Sequence, residues 1–292
     1  MHTRGGVFWY SLGLTLLLLL PMVGVTAFLV RQRQQQNALR QAAAGRGGIA
    51  VEQGAQDTWR LLLVVQQEEP AFVLARADGP AQTVTLCALP GALQVDAPSG
   101  TTTLAACAQT AGPGRAVQLL GATLATGETA APPLYYLAAT PDCWAGCAGA
   151  QAAARLDTAA LLTAAQRREL GYGQDSVAQV DAAGAAELIA RLQSVQDDPD
   201  RQAAMRAAVW EAFARQDPAL LAALPDAWRQ ASARTLTDLL AGDLAGAEAT
   251  LQYLAGQPGL TVQYTTAPTQ DAGGGEVTLT QQGRAVLAEL LQ

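Results

Sequence analysis

Apolar residues gather early in the body of the chain into three short runs: WRLLLVVQ (Trp59 to Gln66), AFVLARA (Ala71 to Ala77) and TVTLCAL (Thr83 to Leu89). Turn-forming residues bound them, QEEP after the first run and DGPAQ (Asp78 to Gln82) after the second, so the three predict neighbouring strands of a buried sheet. The period then changes. In TTTLAACAQTAGPGRAVQLLGATLAT, the residues Val117, Leu120 and Leu124 recur at helical spacing, and Gly112-Pro113-Gly114 breaks the stretch. PPLYYLAAT (Pro132 to Thr140) returns to strand character. PDCWAGCAGAQAAARL then reads as a helix with Asp142 as its candidate cap, and DAAGAAELIARLQ (Asp181 to Gln193) as an amphipathic helix. DRQAAMRAAVWEAFARQDPALLAALPDAWRQ predicts two more helices divided near Asp217-Pro218. LTVQYTTAP and GEVTLT predict strands, and QQGRAVLAELL predicts a closing helix. This irregular alternation is the pattern of an α/β protein, an α/β/α sandwich with a mixed central sheet.

Ahead of that body, Val7 to Val30 is an uncharged stretch of 24 residues. About 20 apolar residues cross a bilayer as a helix, so this one predicts a single N-terminal transmembrane helix in contact with lipid. Phe8, Trp9 and Tyr10 stand at one end as interfacial aromatics do. A cleaved signal peptide is the alternative, but its apolar region is usually shorter and is followed by a small-residue cleavage site. The chain therefore divides into a tail (1–6), a transmembrane helix (7–30), a polar stalk (31–56) and an α/β domain (57–292). The positive-inside rule sets Arg31, Arg33 and Arg40 against Arg4 and slightly favours a cytoplasmic body.

Charge narrows the functions available. Residues 1 to 50 hold five arginines and no acid, whereas the remainder holds 13 arginines against 25 Asp and Glu. An acidic body lacks the cationic footprint with which proteins neutralise nucleic-acid phosphates, so nucleic acid is not an expected partner. Cys87, Cys107, Cys143 and Cys147 form no metal-binding spacing, and His2 at the extreme N-terminus is the sole histidine. Zinc and a histidine-based triad are thereby excluded, and no metal site is expected. Cys143 and Cys147 are poorly placed for a disulfide; Cys87 and Cys107 either pair, in an extracytoplasmic body, or serve as small buried hydrophobes. Two carboxylates, Glu68 and Glu69, are the weak catalytic candidates, as loop acids able to bind Mg²⁺ or act as bases, with solvated charges as the alternative. Asp197, Asp198 and Asp200 form a second acidic loop. Arg191 and Arg201 are the candidate phosphate-binding residues, whose guanidinium forks suit phosphate oxygens, set against surface pairing with those acids.

The order of elements from about Trp59 to the C-terminus resembles the LytR-CpsA-Psr family of cell-envelope proteins. RLLLVV is similar to the family's first strand and AFVLARADGPAQTVTLCALP to its strand-turn-strand; LAACAQTAGPGRAVQLLGATLAT, PPLYYLAATPDCWAGCAG, the run Asp200 to Trp228 and TLTDLL follow in family order. The resemblance implies one membrane helix, an extracytoplasmic body, and transfer of glycopolymers from polyprenyl-pyrophosphate carriers to the cell wall with Mg²⁺ assisting. The charged positions depart from it. Where the family ends a strand with Pro-Arg-Asp, this chain has Pro90-Gly91-Ala92, and where Arg-Ser-Asp precedes the second strand it has Glu68-Glu69-Pro70. Arg191 matches the first arginine of the family's Arg-x-Arg without its second, and Arg201 with Gln202 resembles the arginine before its glutamine. Losing several groups that hold a pyrophosphate removes much of the transition-state stabilisation. The expectation is a degenerate member, a binding or regulatory module for a polyprenyl-linked glycopolymer or a cell-wall protein. The alternative is an active phosphotransferase that uses Arg191, Arg201 and the Glu68-Glu69 pair with Mg²⁺.

Overall fold

The structure is a computed structural model and describes residues 54–98, 100–124, 134–149, 151–173 and 175–291, so the apolar segment 7–30 and nearly all of the stalk lie outside the described residues. β1 (Thr58–Val65), β2 (Ala71–Asp78) and β3 (Thr83–Leu89) form an antiparallel meander, with Leu62 opposite Leu74 and Leu74 opposite Cys87. A ribbon of β4 (Gln94–Ala97) and β5 (Gly100–Thr103) leads into α1 (Leu104–Ala111) and α2 (Pro113–Leu124). Thr103 caps α1 by accepting from the Ala106 N–H, and Gly112 ends it at φ 86°, a left-handed value that favours glycine. β6 (Tyr135–Ala139) runs parallel to β1 and passes into α3 (Pro141–Ala148). Next come β7 (Ala153–Asp157), α4 (Ala164–Glu169), β8 (Val177–Asp181), α5 (Ala182–Val195), α6 (Pro199–Gln216) and α7 (Ala219–Gln230). The chain closes through β9 (Thr235–Thr237), α8 (Ala241–Ala255), β10 (Thr261–Thr266), β11 (Thr269–Gly273), β12 (Glu276–Leu279) and α9 (Gln281–Leu291).

Six strands make the central sheet in the order β10-β3-β2-β1-β6-β9, with β1/β6 and β3/β10 parallel and the other pairs antiparallel. The mixed sheet read from the sequence is present. β1 shows how both faces are filled: Leu61, Leu63 and Val65 point into one core with α3, α5, α6, α7 and α8, while Leu62 and Val64 point into another with α1, α2 and α9. A continuous apolar run is what a strand covered on both faces requires. Burying each leucine fully contributes about 1.5 to 3 kcal/mol. α8 approaches β1 through Gly246, where an added Cβ would sit 2.6 Å from the Trp59 ring.

Two readings need correction, and one open alternative is decided. PDCWAGCAGAQAAARL is not one helix: α3 stops at Gly149, φ 88°, and Ala153–Asp157 is a strand that buries Ala154 and Leu156 and pairs with β8. Asp142 is not the cap either; Thr140 holds that position, and Asp142 lies in the first turn, where its charge favours the helix dipole. All four cysteines are free thiols; Cys87, Cys107 and Cys143 are buried, so the Cys87–Cys107 pairing is not formed.

Candidate functional site

The register of the sheet brings three segments to one edge. Because β1, β3 and β6 all run the same way and β2 runs against them, the loop Gln66–Pro70, the turn Pro90–Ala92 and the start of α3 lie side by side. Ligands in open α/β sheets bind at such carboxyl ends of strands. The loop is fixed by its backbone: the Gln66 N–H donates to the Ala139 carbonyl at 2.8 Å, and the Gln109 amide donates to the Glu68 carbonyl. A Cβ on Gly91 would lie 3.4 Å from the Pro70 carbonyl oxygen and 3.2 Å from the Ala105 methyl, so turn and loop adjoin tightly.

Beside this edge an apolar cleft of about 80 Å³ opens between α3, α5 and α6, lined by Val65, Trp144, Ala185, Ile189, Trp210 and Phe213 among others. Trp144 is held by donating its indole N–H to the Val64 carbonyl at 3.2 Å and by edge-on packing against Trp210 at 4.9 Å between ring centroids. Such contacts add about 0.5 to 1.5 kcal/mol beyond area burial and keep the cleft wall rigid.

One helical turn before Trp210 on α6 stands Arg206, which sequence reasoning did not single out. The residue is 3% exposed, and its Nε is buried without a hydrogen-bond acceptor. Burial pulls the guanidinium down to about 10, opposed by the charge of Glu69 on the loop, so it remains cationic at neutral pH. A buried charge lacking a full set of partners is uncommon, because its desolvation must be compensated. The one available sign in the sequence was an arginine within the apolar, alanine-rich run Ala203–Trp210.

Arg191 and Arg201 are placed differently. The Arg191 guanidinium, on the solvent-facing side of α5, pairs with Glu187 at 3.4 Å and donates to the Glu169 carbonyl at 3.0 Å. Arg201, on the first turn of α6, lies 3.5 Å from Asp198, and its side chain is 61% exposed. Neither lines the cleft. Of the acidic loop, Asp198 caps α6 through the Asp200 and Arg201 N–H groups, and Asp200 accepts from the Thr269 N–H and hydroxyl at 3.0 and 2.6 Å. These are structural duties. Glu68 and Glu69 are both exposed on the loop. Among the described residues no three His, Cys, Asp or Glu gather as a metal site; Glu68, Glu69 and Asp142 are the exposed carboxylates on these segments, and they form no such group.

This architecture recurs in solved structures. TagT of Bacillus subtilis superposes with a TM-score of 0.58 over 82% of this chain and 91% of its own, at 14% identity. The chain has the fold of the LytR-CpsA-Psr proteins. A TagT structure described as bound to LI-WTA matches with a TM-score of 0.59 over 84% of this chain and 93% of that one, at 13% identity. A putative transcription regulator from Eubacterium siraeum DSM 15702 matches at 0.63 over 80% and 91%, at 11% identity. No protein-family model and no curated protein matches the sequence. The LytR-CpsA-Psr likeness thus lies in the fold, at sequence identities of 11 to 14%.

Proposed function

We propose that this protein is a membrane-anchored, extracytoplasmic module of the cell envelope that binds a polyprenyl-phosphate-linked glycan and turns it over poorly. The carrying observation is Arg206, a buried guanidinium without an acceptor at Nε, one helical turn from an apolar cleft walled by Trp144, Trp210 and Phe213. A cation beside an apolar slot complements an anionic headgroup on an aliphatic chain. TagT, of the same fold, is described bound to LI-WTA, which supports a glycopolymer as the class of ligand. Impaired turnover follows from the uncharged Pro90-Gly91-Ala92 turn. Transfer of a phosphoryl-linked glycan needs several fixed cations on the developing charge, and each missing donor lowers the rate by about 10² to 10³.

The full-length chain in nanodiscs, given a polyprenyl-pyrophosphate-linked glycan and peptidoglycan with and without Mg²⁺, separates the readings. Saturable binding with no transfer over hours supports the proposal. Mg²⁺-dependent multiple turnover contradicts it and leaves the phosphotransferase reading.

A further inference from the structure

β9 is the last strand of the central sheet and pairs on one side only, with β6. Hydrogen bonds along β6 decide which way the groups of β9 face. The Ala139 carbonyl accepts from the Gln66 N–H on the β1 side, whereas the Tyr136 N–H donates to the Asp238 carboxylate at 2.8 Å and its carbonyl accepts from the Thr237 hydroxyl at 2.7 Å. Tyr136 and Ala138 therefore face β9. Leu236, opposite Ala138, bonds inward, and the backbone N–H and C=O groups of Thr235 and Thr237 point away from the sheet. The Leu236 residue is 49% exposed and Leu240, just beyond the strand, 73%, so this edge is apolar as well as open.

Charge supplies a second observation. The segment reads Arg234-Thr235-Leu236-Thr237-Asp238, both charged residues are exposed, and among the described residues Arg234 makes no ion pair. Run antiparallel to itself about Leu236, this segment sets Thr235 against Thr237 and Arg234 against Asp238 at both ends. A charge alone blunts a sheet edge, but opposite charges at mirrored positions attract across a two-fold axis. The other edge strand, β10, carries no charged residue.

We propose that β9 is a self-association edge, which joins a second copy of this chain across a two-fold axis through Leu236 into one continuous sheet. The outward backbone groups of Thr235 and Thr237 exchange hydrogen bonds with those of the second copy. The two Leu236 side chains meet at a non-hydrogen-bonded position, with Cα atoms about 4.5 Å apart, and each Arg234 faces the other copy's Asp238. A three-residue ladder is a small contact, of the transient class. The inference goes beyond the glycan-binding reading and does not depend on it.

The test reconstitutes the full-length chain in liposomes and follows disulfide-linked dimer on non-reducing gels under copper-phenanthroline. Leu236→Cys is expected to crosslink about ten-fold faster than Tyr264→Cys on the opposite edge, and faster by a similar factor than wild type, which controls for the native thiols. Adding Arg234→Glu sets acid against acid at both ends and is expected to slow the Leu236→Cys reaction about ten-fold. Arg234 is exposed, so an unchanged urea midpoint verifies that the fold is kept. Leu236→Cys that crosslinks no faster than Tyr264→Cys, or equally fast with Arg234→Glu, overturns the proposal. A Leu236→Cys thiol shielded from maleimide without dimer assigns the edge to lipid and overturns it too.

Discussion

Arg206 is charged within the alanine-rich, buried stretch Ala203–Val209 of its helix, and its energetics differ from those of the surface arginines. Its pKa is held down at about 10, so the folded chain binds that proton less tightly than the unfolded chain does. Sign follows directly: the group opposes folding below about pH 10, and the opposition fades as pH rises through that value. Replacing it with a methionine of similar bulk removes the desolvation penalty and leaves Glu69 in water rather than stranded. Arg206→Met is expected to be as stable as wild type or more so, by up to about 2 kcal/mol in urea unfolding, while losing headgroup binding. Arg191→Ala and Arg201→Ala, each already paired to a carboxylate in water, are expected to change both quantities little. Thiol chemistry gives an independent check on burial. Cys87 is pushed up to about 12 by burial, and Cys147 to about 11 by burial and then by its neighbour Cys143. Thiolate is the reactive form, so labelling of native Cys147 rises about ten-fold per pH unit between pH 7 and 10, and Cys87 reacts only after unfolding.

At the scale of elements, packing against β1 is the sensitive joint. Gly246→Ala drives a methyl into Trp59, with an expected loss of about 1 to 3 kcal/mol in the urea midpoint. The cleft tolerates filling better. Ala186 lines it, and Ala186→Leu is expected to hold stability within about 1 kcal/mol yet weaken prenyl-phosphate binding at least ten-fold, with inorganic pyrophosphate unaffected. The elements legible in the sequence were those whose own residues decide them. β1, β2 and β3 are uninterrupted apolar runs between strong turns; α1 and α2 are split by Gly112, and α6 and α7 by Asp217-Pro218. The ribbon β7/β8 was missed because its strands are short, alanine-rich and paired across an intervening helix, so pairing rather than local propensity fixes them. β9 is three residues long and exists through its bonds to β6, including the Thr237 hydroxyl donating to the Tyr136 carbonyl. α8 has no strong apolar face, so its period gave little signal.

Over the whole molecule, a sheet covered on both faces places one edge at the junction of a loop, a turn and a cleft. The sequence marks Pro90-Gly91-Ala92 and Glu68-Glu69 as segments that follow apolar strand runs, and the pairing of β1, β2 and β3 is what brings them to one edge. The sequence did not locate Arg206, whose role arises from α6 packing against β3 and β10, contacts between segments distant in sequence. The fold keeps the frame of the LytR-CpsA-Psr proteins, with the buried Arg206 one helical turn from the cleft wall at Trp210. The direct test is photo-crosslinking of the full-length chain in nanodiscs with a prenyl phosphate that carries a diazirine near its tail, followed by mapping of the labelled peptides. The account expects label on the cleft walls at Trp144, Trp210 or Phe213, lost in Arg206→Gln and Ala186→Leu. Label confined to other surfaces, or label on these walls that persists in Arg206→Gln, contradicts it.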